Sequence, residues 1–241
     1  MLTIKNLSKK YGQFLAVNKI NLTIDKGELF GFLGPNGAGK TTTIKMITGL
    51  LSPTSGNIFL DGKDVWLNQI ESKMKLGYIP DQPFLYDKLT GREFLFFSGG
   101  LYGLDKKILI NRIEELLELL KIESWVDKRT EEYSQGMKQR ITIASAFLHN
   151  PKLIVVDEPM VGLGPQSAYI VKKFFTDSVK NGTTIFMSTH SLNVVEEICT
   201  KVGIINKGNI IFDDTLSVLS RLKEEINNNL EELFIQLTKE E

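Results

Sequence analysis

Apolar and polar positions divide this chain into stretches of two different periods. Residues 2–7, LTIKNL, and 20–24, INLTI, alternate in type, which predicts half-buried strands. GELFGFLG at 27–34 is an apolar strand ending in glycine. GKTTTIKMITGL at 39–50 then takes the helical period until SPTSG stops it. GNIFLDG at 56–62 is a further strand bracketed by turn residues. From about residue 87 to 150 the helical period takes over. In NRIEELLELLKI, Ile113, Leu116, Leu117 and Leu120 fall three or four apart and share one face. GREFLFFSGGLYGL and QGMKQRITIASAFLH are the other helices expected there. Strands return as KLIVVDEP, TTIFMSTH and KVGIINKG. Their apolar runs, interleaved with helical QSAYIVKKFFTDSVK, predict a parallel sheet covered on both faces. Past residue 215 the chain reads as helical and charged. The pattern gives an α/β fold: a parallel-sheet core, an antiparallel β region ahead of it, and a helical subdomain inserted at about 87–150.

With 42% hydrophobic and 24% charged residues, the chain can bury a sizeable core. Lys plus Arg and Asp plus Glu both total 29, so no basic excess draws it to nucleic acid, and none is expected as a partner. Cys199 stands alone, so no intrachain disulfide can form, as expected of a reducing compartment. The opening MLTIKNLSKKYGQF carries no long apolar stretch and does not read as a secretory signal. No window approaches the ~20 apolar residues that span a bilayer. The expected location is the cytoplasm, with any membrane role depending on a partner.

GPNGAGKT at 34–41 fits G-x-x-x-x-G-K-[ST] and has the strand before it and the helix after it that the motif requires. Gly34, Gly37 and Gly39 let backbone N–H groups curl around an anion, and the following helix points its positive end there. Lys40 is placed to reach β- and γ-phosphates, and Thr41 to offer a hydroxyl to Mg²⁺. LIVVDEP closes a buried strand on two carboxylates, where open α/β sheets bind ligands. A bare Asp-Glu after a strand is often a solvated cap. Beside a phosphate loop, Asp157 is expected to hold Mg²⁺ and Glu158 to polarise an attacking water. Strand alternation sends the two side chains apart, so they take different roles. His190 sits at a third strand end and is expected near the γ-phosphate, whereas His149 in FLHNP belongs to a helix terminus and loop.

YSQGMKQR at 133–140 opens a helix with Ser134 and Gly136, a second anion-ready N-terminus 100 positions past Gly34. One ATP does not need two cradles from one chain. The second is therefore expected to serve a nucleotide held by another copy. GPNGAGKT, LIVVDEP and YSQGMKQR, in this order, resemble the Walker A, Walker B and signature (LSGGQ) motifs of nucleotide-binding subunits of ATP-binding cassette (ABC) transporters. The resemblance covers essentially all of residues 1–215. It implies a P-loop NTPase with a RecA-like core, an ATPase domain over 1–215, a helical tail over 216–241, and ATP and Mg²⁺ as cofactors. It also implies a head-to-tail dimer with an identical or paralogous cassette. Each ATP would lie between one chain's Gly34, Pro35, Asn36, Gly37, Ala38, Gly39, Lys40, Thr41 and Thr42 and the other's Ser134, Gln135 and Gly136. Glu158 takes the place of the catalytic glutamate and His190 that of the switch histidine. Tyr11 takes the place of the aromatic that stacks on adenine, the alternative being a core tyrosine of the first hairpin. The tail NLEELFIQLTKEE resembles the LEEVFLxLT ending of export-type cassettes. These pair with a separate integral membrane permease, which would hold this protein at the inner face of the cell membrane.

Three places depart from the family pattern. The signature reads YSQGM, which keeps Ser134 and Gly136. PDQPFLY carries Asp81 where Gln is common, with Gln82 beside it, and this leaves the loop's Mg²⁺ and water contact open. GLGP has Gly164 in place of an Asp, which implies weaker communication between paired sites. PFLYDKLTGREFLFF is rich in aromatics: Phe84, Tyr86, Phe94, Phe96 and Phe97. The family receives the permease's coupling helix in this neighbourhood, and the same residues read equally as local core. Two other functions stay in view. One is a cassette acting on nucleic acid or ribosomes, disfavoured by the single cassette and neutral charge. The other is a regulatory cassette of low turnover, motivated by Asp81 and Gly164.

Overall fold

A computed structural model describes residues 1–225, Glu232 and Phe234. Apart from those two residues, the tail motif at 229–241 lies outside the described residues. β1 (Leu2–Tyr11) and β2 (Phe14–Ile24) form a hairpin that pairs Leu2 with Ile24 and Tyr11 with Phe14. Both strands run further than alternation alone predicts. Their register shifts between Ile4 and Leu7, and twice more by Lys10, and each irregularity breaks the two-residue period. β4 (Ser55–Leu60) pairs with the other edge of β1, and short β5 (Lys63–Asp64) completes an antiparallel sheet ordered β2-β1-β4-β5.

The second sheet is built from β3 (Leu29–Leu33), β6 (Leu76–Ile79), β7 (Leu153–Asp157), β8 (Thr184–Thr189), β9 (Lys201–Asn206) and β10 (Asn209–Thr215). Its order is β10-β9-β3-β8-β7-β6, parallel except for β10. β3, β7 and β8 are buried at every position, which is why they read as runs with no polar face. One face carries Phe30, Phe32, Leu153, Val155 and Phe186 against the antiparallel sheet and α1 (Lys40–Ile47). The rings of Phe30 and Phe32 lie 5.4 and 5.1 Å from that of Phe186. The other face carries Leu29, Leu33, Ile154, Val156, Ile185 and Met187 against helices. α2 (Gln69–Lys75) leads directly into β6.

α3 (Gly91–Leu101), α4 (Lys106–Leu120) and α5 (Gln135–Phe147) fall between β6 and β7, where the helical period is read. α4 buries Leu109, Ile113, Leu116, Leu117 and Leu120, the stripe its spacing predicts. Thr90 and Glu93 cap α3 reciprocally, and Asp105 caps α4. α6 (Pro165–Lys180), α7 (Leu192–Ile198) and α8 (Leu216–Glu225) follow the later strands. His149 lies just past α5, as expected. Its ring stacks on Tyr102 at 3.7 Å, and Nε2 lies 3.2 Å from the Leu76 carbonyl oxygen. The histidine thereby pins the end of α3 to the start of β6. Burial holds its pKa down at about 4.

Two consequences are measurable. Phe186→Ala empties the centre of the ring cluster and should lower the unfolding free energy by about 3–5 kcal/mol, read from urea denaturation. His149 stays neutral in the folded protein, whereas the unfolded chain takes up its proton near 6.5. Stability is then fully present above that value and declines as pH falls from 6.5 toward 4. His149→Phe keeps the stack and should flatten this part of the acid limb in urea midpoints measured across the window.

Candidate active site

Register brings the motifs together. Leu33 pairs with Thr189, and Asp157 with Ser188, so β3, β8 and β7 end level and the segments leaving them share one edge of the sheet. β6 ends at Ile79, opposite Val156, and Asp81 emerges beside them. Around this edge lies a cavity of about 410 Å³, lined by Tyr11, Phe14, Ala16, Asn36, Gly37, Gly39, Lys40, Thr41, Thr42, Asp81, Asp157 and Glu158.

The loop from Gly34 to Gly39 owes its shape to backbone freedom. Gly39 has φ +112°, and a Cβ there would lie 2.6 Å from the Ala16 carbonyl oxygen. Ala38 is buried behind the loop, its N–H donating to the Pro35 carbonyl and its own carbonyl accepting from Gly208. α1 begins at Lys40 with no side-chain cap, so its first-turn N–H groups are available to an anion. Lys40 Nζ donates to the carbonyls of Gly34 at 2.6 Å and Pro35 at 3.1 Å. Burial lowers the Lys40 pKa, opposed by the charges of Glu158 and Asp157.

Asp157 is buried, and both of its carboxylate oxygens are engaged. Thr41 Oγ1 donates to Oδ2 at 3.1 Å, and Ser188 Oγ donates to Oδ1. Burial raises the Asp157 pKa, and these two hydrogen bonds oppose it. Glu158 turns out of the strand with φ +49°, a conformation that costs a non-glycine residue ~1–2 kcal/mol. Its N–H donates to the Ser188 carbonyl at 3.1 Å. This turn carries the Glu158 carboxylate away from Asp157 to within 3.0 Å of His190 Nδ1. The donors near Asp157, namely Thr41 and Asp81, are hard oxygens, and they fit Mg²⁺ completed by phosphate oxygens.

Not every expected residue reaches the cavity. Gln82 is exposed and off it, donating its N–H to Asp81 Oδ1 at 2.9 Å. Asp81 alone of that pair lines the wall. His190 stands at the rim through Glu158 and is exposed. Tyr11 is 47% exposed at the mouth, so it is not a core tyrosine. Ser134, Gln135 and Gly136 lie elsewhere, at the start of α5, with Ser134 Oγ accepting the Met137 N–H. A Cβ on Gly162 would meet Gln135, and one on Gly136 would meet Leu163, so this turn abuts the loop after β7. At Gly164 a Cβ would meet nothing within 4 Å; packing does not exclude a side chain there. The aromatic stretch divides. Phe94 is buried and Phe96 packs on the core. Phe84, Tyr86 and Phe97 are exposed, with Tyr86 edge-on to both others at 5.6 and 5.5 Å.

Three residues of the site escape the sequence reading: Phe14, Ala16 and Ser188. Phe14 becomes visible once β2 is known to start there, because it pairs with Tyr11 across the turn. Ser188 is identifiable only from the register that sets it beside Asp157.

The ABC transporter family profile matches residues 17–161. The linearmycin resistance ATP-binding protein LnrL of Bacillus subtilis is 39% identical, over 88% of this chain and 68% of its own. The bacitracin transport ATP-binding protein BcrA of Bacillus licheniformis is 39% identical, over 86% of this chain and 67% of its own. A solved ATP-binding subunit of an ABC transporter superposes with a TM-score of 0.91 at 33% identity, covering 99% of this chain and 100% of that one. A phosphate loop, carboxylates and strand ends in this register, matched by these relatives, lead to one conclusion: the chain belongs to the ABC transporter family, as an ATP-binding cassette with ATPase activity.

Proposed function

We propose that this cassette powers an export-type transporter through ATP-driven closure of two cassettes, the second being identical or a paralogue. One observation carries the reading. Ser134–Gly136, an exposed helix start suited to phosphate, lies apart from the cavity that gathers Lys40, Thr41 and Asp157. A head-to-tail mate would bring its Ser134, Gln135 and Gly136 over this chain's nucleotide. The ATPase domain would span 1–215, with the helical subdomain at about 87–150.

Within the site, Tyr11 and Phe14 offer faces for a nucleobase. Asn36, Gly37 and Gly39 through Thr42 would surround the phosphates, and Lys40 would exchange the carbonyls of Gly34 and Pro35 for phosphate oxygens. Thr41, Asp157 and Asp81 would hold Mg²⁺, which neutralises charge on the β- and γ-phosphate oxygens when bound. Glu158 would orient the attacking water, and His190, which meets the Glu158 carboxylate at 3.0 Å, would approach the terminal phosphate from the rim. The exposed Phe84, Tyr86 and Phe97 suit a permease contact, beside a groove of about 520 Å³ that Tyr86, Leu89 and Phe97 help to line. No helix among the described residues is long and apolar enough to cross a membrane, so the permease would supply the anchor at the inner face. Export is supported by relatives named for linearmycin resistance and bacitracin transport.

Glu158→Gln should reduce ATP turnover by at least ~100-fold and leave ATP-bound dimers that persist on size exclusion. Normal hydrolysis by that variant would remove Glu158 from the role. Ser188→Ala strips one hydrogen bond from Asp157. It should raise the Mg²⁺ concentration needed for half-maximal turnover by ~10–100-fold, with Mg²⁺-free ATP binding unchanged.

A further inference from the structure

The residue just before the phosphate-facing turn is bonded in a way the proposed function does not use. Tyr133 is 6% exposed. Its hydroxyl donates to the Val126 carbonyl at 3.0 Å and accepts the Gly91 N–H at 3.1 Å. Gly91 is the first residue of α3, so this N–H is one that a helix start leaves unpaired within its own helix. The Tyr133 backbone runs directly into Ser134, the N-cap of α5. One side chain thus completes the start of α3, while its own residue leads into the start of α5.

The fit is close. A Cβ on Gly91 would lie 2.4 Å from the Tyr133 hydroxyl oxygen, so the phenol occupies the space that glycine leaves. The flanking segments are laced in the same sense. Thr130 donates from Oγ1 to the Tyr86 carbonyl and from N to the Leu89 carbonyl, both at 2.9 Å. Thr90 bridges to Arg129. Trp125 meets the Tyr133 ring edge-on at 5.0 Å, and the Arg140 guanidinium sits over Trp125. Within this lacing, Tyr133 is the member adjoining Ser134.

We infer that Tyr133 is a positioning residue for the nucleotide of a second copy of this chain: its hydroxyl fixes the Ser134–Gly136 turn against α3, in the attitude that meets a phosphate across the interface. The inference rests on the two-cassette reading above. Removing the hydroxyl leaves the Gly91 N–H and the Val126 carbonyl without this partner and loosens the turn. The chain's own nucleotide cavity is lined by other residues and is untouched.

The test uses the full chain carrying Glu158→Gln, with and without Tyr133→Phe. Binding of ATP to dilute monomer is followed by calorimetry, and ATP-driven association by analytical ultracentrifugation. The expected result is unchanged monomer affinity with association about tenfold weaker. Unchanged association overturns the inference. So does a parallel loss of both constants, which marks general unfolding. A parent that fails to associate in ATP removes the two-cassette reading itself, an outcome distinct from a silent Tyr133→Phe.

Discussion

The site depends first on the hydrogen-bond register of the parallel sheet. Asp157 faces Ser188, and Leu33 faces Thr189, because β7, β8 and β3 are locked level with one another. A slip of one residue would turn Asp157 to the opposite face and part it from both Thr41 and Ser188. Two packed faces prevent that slip. Phe30, Phe32 and Phe186 stack on one side, while Leu29, Ile185, Met187 and Ile154 fill the other. A shift would move all of these at once. The chemistry at the edge is therefore held by apolar contacts inside the sheet, from residues that do not line the cavity.

Against this rigid frame, the edge itself concentrates unfavourable features. Glu158 sits in a left-handed conformation, Asp157 is a buried carboxylate, and Lys40 is a buried ammonium. Each costs free energy to hold, and each is oriented by a neighbour: Ser188 and Thr41 on Asp157, His190 on Glu158, the loop carbonyls on Lys40. Such strain accumulates where function requires a fixed geometry, and the surrounding sheet is what sustains it. The charges of Glu158 and Asp157 also offset part of the cost of burying Lys40.

Much of this was legible in the residue pattern, for identifiable reasons. The α4 stripe follows from spacing alone, and β3, β7 and β8 follow from uninterrupted apolar runs. The phosphate loop is legible because its chemistry tolerates few alternatives at Gly39, Lys40 and Thr41. The rest is set by contacts that spacing does not encode. Register shifts in β1 blur its alternation. β6 is only four residues long, too short to show a period. β10 is an edge strand reached through a tight turn at Lys207 and Gly208, both with positive φ. Ser188 and Tyr133 gain meaning only from Asp157 and Gly91, partners more than thirty residues away along the chain.

The aromatic stretch at 83–97 shows how one composition serves two purposes. On α3, Phe94, Leu95 and Ser98 face the core, while Phe97 and Leu101 point outward. Phe84 and Tyr86 join Phe97 outside, with Tyr86 edge-on to both other rings and all three exposed to water. Exposed rings gathered in one place are unfavourable in water unless something covers them. They stand on the segment that Thr130 ties to the approach of the Ser134 turn. An object pressed on those rings therefore pushes on the same hydrogen-bonded unit that presents Ser134 and Gly136. The permease contact proposed for the rings and the phosphate contact proposed for Ser134 and Gly136 are thus joined through Thr130 and a few residues of backbone.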